Sequence, residues 1–178
     1  MTKNDNRMTD LKEGRNKVFN ILNDLNIPFE IYEHPPLDTI EIALEYWKDI
    51  EATHCKNLFF RNHKGNRHYL VIIQDTTPFD IHSLEKQLKQ GKLSFGSEQR
   101  LMKNLGVRPG SVSPFGLVND EEHHVYLFLD KNLQSADKIS FHPNDNTASL
   151  VLKYSDFIKY LDFMGNRYEF IDPSPGLD

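Results

Sequence analysis

Leu58-Phe59-Phe60-Arg61-Asn62-His63-Lys64-Gly65-Asn66-Arg67-His68-Tyr69-Leu70-Val71-Ile72-Ile73 decides the fold class. Two strand-like apolar runs flank Asn62-His63-Lys64-Gly65-Asn66. That polar segment is a hairpin signal, because its glycine supplies the positive φ that a tight reversal needs. The run Tyr69 to Ile73 is apolar at every position, so neither face of that strand suits water. Such a strand belongs in the middle of a sheet.

Helical and strand patterns alternate on both sides of this hairpin. Upstream, Leu11, Val18, Ile21, Leu22 and Leu25 form a helical stripe that Asn26 and Pro28 end. Phe29 to Tyr32 alternates like a short strand. His34-Pro35-Pro36 breaks it, and Asp38 or Thr39 can cap a second helix over Ile40 to Ile50. Downstream, Asp80 can cap a helix over Ile81 to Leu88. Ser94-Phe95-Gly96-Ser97 reads as a joint, with Ser97 capping a short helix through Leu105. Val125 to Leu129, Ile139 to Phe141 and Ser149 to Leu152 read as strands. A final amphipathic helix, Tyr154 to Met164, carries Phe157, Ile158, Leu161 and Phe163, and Gly165 stops it. The alternation predicts one α/β domain with a mixed sheet. The predicted organisation is a tail over 1–10, a domain over 11–170 and a second tail over 171–178.

The bulk numbers agree with one soluble domain. The chain has 178 residues, 38% hydrophobic and 26% charged. No run of about 18 apolar residues is present, and the first residues lack an apolar leader core. A single cysteine, Cys55, excludes an internal disulfide and fits a cytoplasmic location. The net charge of −5 argues against broad wrapping of nucleic acid but not against a local basic patch.

Between a helix and a strand lies Gly106-Val107-Arg108-Pro109-Gly110-Ser111-Val112-Ser113-Pro114-Phe115-Gly116-Leu117, with three glycines and two prolines in twelve residues. This is longer than a plain connection needs. It reads either as a rigid turn or as a fixed loop presenting N–H groups to an oxyanion or a polarised carbonyl. Lys56 opens a strand where a polar stretch meets an apolar one. It reads as a solvated lysine or as an ammonium at a pocket rim. Lys56 and Arg61 have opposite strand parity and so face opposite sides. His142, beside Pro143, Asn144 and Asn146, is a base, a pocket wall or a histidine bonded to its own loop. Cys55 lacks a defined histidine partner. Ser111 and Ser113 do not sit in Gly-x-Ser-x-Gly. His54, His63, His68, His123 and His124 show no zinc spacing, and neither a Walker loop nor Gly-x-Gly-x-x-Gly occurs. Arg61, Lys64, Arg67, Lys86, Lys89, Lys92, Arg100 and Lys103 gather mid-chain, as a basic face or a mixed solvated surface.

Several segments, taken in order, resemble the free-standing prolyl-tRNA editing proteins. These are similar to the editing domain inserted in bacterial prolyl-tRNA synthetases (the YbaK/ProRS-associated domain family). The matching pieces are Glu33-His34-Pro35-Pro36, Lys56-Asn57-Leu58-Phe59, Leu93-Ser94-Phe95-Gly96, Leu105-Gly106-Val107 with Pro109 to Leu117, and Phe141-His142-Pro143 with Asn146-Thr147. They span roughly Val18 to Glu169. The resemblance implies a mixed, barrel-like sheet surrounded by helices. It implies hydrolysis of the ester joining alanine to the terminal adenosine of tRNA(Pro), without a metal, a cofactor or a protein nucleophile. Lys56 then holds the terminal nucleotide. The backbone of Gly110, Ser111, Val112, Ser113 and Pro114 stabilises the oxyanion. Asn57, His142 and Asn146 line the aminoacyl pocket, and Arg61, Lys92 and Arg100 grip the acceptor stem. The implied partners are the acceptor end of mischarged tRNA(Pro) and prolyl-tRNA synthetase, with neither DNA nor a membrane. Two alternatives stay open: a deacylase for another small amino acid, cysteine or serine, and a non-catalytic module binding aminoacyl-tRNA or a synthetase.

Overall fold

The computed structural model describes residues 3–37 and 39–174. Helix α1 runs over Lys3–Asp24, so the stretch expected as an N-terminal tail is helical from Lys3 to Asp10. Val18 and Leu22, one turn apart, are fully buried and anchor it. Strand β1 is Glu30–Glu33, and helix α2 is Ile40–Trp47, capped by the Thr39 hydroxyl, which accepts from the Ile42 N–H. Asp38, the other candidate cap, lies outside the described residues.

Strands β2 (Thr53–Asn62) and β3 (His68–Gln74) form the expected antiparallel hairpin, with Cys55 opposite Gln74 and Arg61 opposite His68. Gly65 turns it at φ 70°. Helix α3 (Ile81–Leu88) is capped by Asp80, and α4 (Glu98–Leu105) by Ser97, as the sequence predicts. Between them Leu93–Phe95 forms a strand, β4, where only a joint was expected. After the glycine loop come a 3₁₀ turn over Pro114–Asn119, β5 (Val125–Asp130), β6 (Lys138–Phe141), β7 (Ala148–Lys153), α5 (Tyr154–Met164) and β8 (Tyr168–Ile171). Ile171, expected to open a C-terminal tail, ends β8 and is buried. Pro175 to Asp178 of that tail lie outside the described residues.

The eight strands form one mixed sheet in the order β1-β7-β6-β2-β3-β5-β8, with β4 added beside β2. Its path is open, with β1 and β8 at the ends. Strand β3 is central, antiparallel to β2 and parallel to β5. Alternate residues of these strands feed two cores. Phe59, Leu70, Ile72, Leu127 and Leu129 pack with α1, α4 and α5. Phe60, Tyr69, Val71, Ile73 and Phe128 pack with Leu84 and Leu88 of α3. This two-sided burial explains the unbroken apolar run in β3. In α5 the core face is Phe157, Tyr160, Leu161 and Met164, while Phe163 is exposed, contrary to the stripe read from sequence.

Candidate active site

Strand β2 is hydrogen-bonded to different neighbours at its two ends. It pairs with β6 only at Thr53 and His54, and with β4 only at Phe60, Arg61 and Asn62. The Gly96 N–H reaches the Phe59 carbonyl at 2.8 Å, so alternation turns the backbone groups of Cys55 and Asn57 toward the same edge. A cavity of about 370 Å³ opens at this gap. Strand β2 supplies Lys56 and Asn57, α2 supplies Ala43 and Trp47, the glycine loop supplies Gly110 and Val112, and the β6–β7 side supplies His142 and Ser149. Leu37, Leu58, Phe79 and Phe141 make much of the remaining wall apolar.

Lys56 is half-buried, and its Nζ donates to the Thr77 carbonyl at 3.3 Å. Thr77 is in turn fixed by a carboxylate with no exposure, Asp130, whose Oδ2 accepts from the Thr77 hydroxyl at 3.0 Å and from the Gln74 N–H at 3.2 Å. One contact leaves an ammonium with donors for a ligand.

Arg108 to Ser111 form a tight turn closed by the Ser111 N–H on the Arg108 carbonyl at 3.0 Å. Pro109 precedes Gly110, whose φ of +85° needs glycine, as in a type II turn. The N–H groups of the cavity-lining Gly110 and Val112 have no acceptor within the chain among the described residues. Behind them the loop is tied down. Ser113 caps the 3₁₀ turn by accepting from the Phe115 N–H at 3.1 Å. The Tyr160 hydroxyl donates to the Pro114 carbonyl at 3.0 Å, and the Asn144 amide to the Phe115 carbonyl at 3.2 Å. Ser111, Ser113 and Pro114 are buried and do not line the cavity.

His142 Nδ1 donates to the Ala148 carbonyl at 2.8 Å, which leaves Nε2 as an acceptor. Burial lowers its pKa, so the ring is neutral at pH 7. His34 stands edge-on to it, with ring centroids 5.9 Å apart, and is held by the Ser149 hydroxyl at 3.0 Å. Among the described residues, two buried polar atoms of the cavity lining have no partner: Asn57 Oδ1, an acceptor, and Trp47 Nε1, a donor.

Residues 34–160 match the family described as the aminoacyl-tRNA editing domain. The chain belongs to that family. The prolyl-tRNA editing protein ProX of Acetoanaerobium sticklandii is 40% identical over 162 residues, covering 90% of this chain and 98% of that protein. The prolyl-tRNA synthetase associated domain-containing protein 1 of Mus musculus is 29% identical over 148 residues, covering 82% and 88%. A crystal structure described as that of a candidate trans-editing enzyme for prolyl tRNA synthetase superposes with a TM-score of 0.68 at 18% identity. It covers 92% of this chain and 98% of that one, which supports the fold.

Within this editing domain, Lys56, Asn57, Gly110, Val112 and His142 of the sequence-derived set meet at one cavity. Asn146 lies outside it, with its amide nitrogen 3.5 Å from where a Gly110 Cβ would stand. Arg61, Lys92 and Arg100 are also elsewhere. Arg61 donates to the carbonyls of Asn62 and His63, and Arg100 to the Gly65 carbonyl and His68 Nε2. Lys92 is exposed ahead of β4. Sequence reasoning did not place Trp47, Thr39, Phe79 or Ser149 at the site. The signal for Trp47 was its being the sole tryptophan, on a short helix just before Lys56. Among the described residues no group of His, Cys, Asp and Glu is arranged to hold a metal ion, and no helix is long and apolar enough to cross a membrane.

Proposed function

We propose that this protein is a trans-editing deacylase that hydrolyses alanine from mischarged tRNA(Pro). The observation that carries the reading is the convergence of the Lys56 ammonium, the unpaired N–H groups of Gly110 and Val112, and neutral His142 on one largely apolar cavity. In this reading Lys56 holds the phosphate or ribose of the terminal adenosine. Water adds to the ester carbonyl carbon, positioned by the free vicinal hydroxyl of the same ribose. The resulting oxyanion accepts from the Gly110 and Val112 N–H groups. The carbon–oxygen bond to the ribose then breaks, the ribose oxygen takes a proton, and alanine and tRNA leave. His142 Nε2 is an acceptor for the substrate amino group, and a neutral imidazole does not repel an ammonium.

The test is hydrolysis of alanyl-tRNA(Pro) by the purified protein, with cysteinyl-, seryl- and prolyl-tRNA(Pro) in parallel. Loss of alanine alone, reduced about a hundredfold or more in Lys56→Ala, is expected. Preferential loss of cysteine or serine would move the specificity and keep the mechanism. Binding of tRNA with no hydrolysis of any ester would reject the enzyme in favour of a binding module.

A further inference from the structure

A second concavity lies at the other end of α3 from the cavity. Phe79, just ahead of α3, lines the cavity, whereas Leu88, Lys89 and Gln90 at its far end line a polar groove of about 770 Å³. An eight-residue helix is about 12 Å long. Part of the cavity wall, Leu58 and Phe79, lies on the same face of the sheet as part of the groove. Lys56 has the strand parity of Leu58 and Phe60, which pack in the same core as Tyr69 and Tyr126 of the groove.

The groove is basic in an acidic protein. Arg67, Lys89 and Arg167, all exposed, line it with His123 and His124, against a single carboxylate among the described residues, Glu169. Glu169 already accepts from the Tyr126 hydroxyl at 2.6 Å. Lys64 extends the cationic stretch into the adjoining hollow beside Arg67 and Lys89. The Arg167 guanidinium lies 4.8 Å from the centre of the Tyr126 ring, which restrains it. The whole chain carries −5, so this clustering is local. By contrast, Arg61 and Arg100 hold the β2–β3 hairpin through its carbonyls.

We propose that the groove binds the phosphate backbone of the tRNA whose 3′ end enters the cavity, through Arg67, Lys89 and Arg167. The proposal rests on the reading of the cavity as an aminoacyl-end site. A short helix separates reacting end from grip, so an RNA running along α3 reaches both. Contacts of this kind position the substrate without reading bases, and their strength falls steeply with salt.

The test compares the wild type with the variant Arg67→Gln, Lys89→Gln, Arg167→Gln on two substrates: alanyl-tRNA(Pro), and alanylated cytidylyl-cytidylyl-adenosine, which lacks the stem. For the tRNA, KM rises about tenfold or more while kcat stays within about twofold, and the slope of log(kcat/KM) against log[salt] becomes shallower by about 3. Hydrolysis of the trinucleotide is unchanged. Equal KM and equal salt slope for wild type and variant on the tRNA would overturn the groove and leave the deacylase reading standing. If the wild type hydrolyses neither substrate, that reading falls. Fluorescence anisotropy with uncharged tRNA(Pro) then decides the groove alone: weaker binding by the variant supports it, and equal binding overturns it. The three single substitutions, each at an exposed side chain, replace the triple variant should that unfold, each flattening the slope by about 1.

Discussion

Arg15 joins three parts of the chain through one guanidinium. Its Nε donates to Asp145 at 2.6 Å, Nη1 to Glu33 at 2.8 Å and Nη2 to the Thr147 hydroxyl at 2.7 Å. Asp145 is 3% exposed and sits in the loop that carries His142. Removing Arg15 would leave that carboxylate buried without its cation, so Arg15→Ala should destabilise the protein by about 2–3 kcal/mol. Urea unfolding measures this, and an unchanged midpoint would show the contact to be idle. A second residue-scale prediction concerns His68, which donates through Nδ1 to His124 and accepts from Arg100. Burial, with His124 and Arg100 alongside, holds its pKa down at about 4. The unfolded chain takes up that proton near 6.5. Between the two values the unfolded state binds more protons, so this contribution to stability is complete above about 6.5 and is lost as pH falls toward about 4. Thermal midpoints between pH 7 and pH 4 should therefore drop less for His68→Gln than for the wild type. Neither role was legible in sequence, because both depend on partners far along the chain.

At the scale of elements, the glycine loop was the most legible feature, because its chemistry is local. Gly110 at φ +85° and Pro109 before it encode the turn by themselves. What the sequence did not reveal is which glycines serve conformation and which serve packing. A Cβ on Gly116 would stand 2.8 Å from Leu105 Cβ and 2.9 Å from its carbonyl oxygen, so the 3₁₀ turn could not approach α4. A Cβ on Gly110 would meet only the Asn146 amide, at 3.5 Å. Gly116→Ala should thus cost about 1–3 kcal/mol by overpacking. Gly110→Ala should cost about 1–2 kcal/mol through its positive φ alone. The loss of deacylation should rank the other way, greatest for Gly110→Ala, whose N–H lines the cavity. Equal stability loss with equal activity loss would refute the division. The sequence marks the starts of α3 and α4 by the capping residues Asp80 and Ser97 and the end of α5 by Gly165, whereas the start of α5 has no side-chain cap. Strand β4 was missed. It is three residues long with Phe95 exposed, and only its pairing with β2 makes it a strand.

At the scale of the whole molecule, the cavity is a product of strand order. The α/β class and the central place of β3 follow from local pattern, but the site exists because β6 and β4 meet β2 at its two ends and leave Cys55 to Leu58 uncovered. Those pairings join residues distant in sequence, so no spacing rule announced them, and Trp47 joined the site through the same long-range packing. The arrangement also divides stability. Strands β3 and β5 are buried between two cores, whereas α2 is short and exposes Ile42, Leu44 and Tyr46. Amide exchange should therefore be slowest in β3 and β5 and fast in α2. A non-hydrolysable alanyl-adenosine, with an amide in place of the ester, should pair with His142 Nε2 and with the Gly110 and Val112 N–H groups of the free cavity. At a hundred times its Kd it should stabilise the protein by about 2.7 kcal/mol. The protection it adds should fall on α2, Cys55 to Leu58 and Gly110 to Val112, and should reach the groove only with a ligand long enough to carry phosphates past α3. Protection confined to the groove, with none at the cavity, would mean that the aminoacyl end binds elsewhere and would remove the basis for a site at the gap in β2.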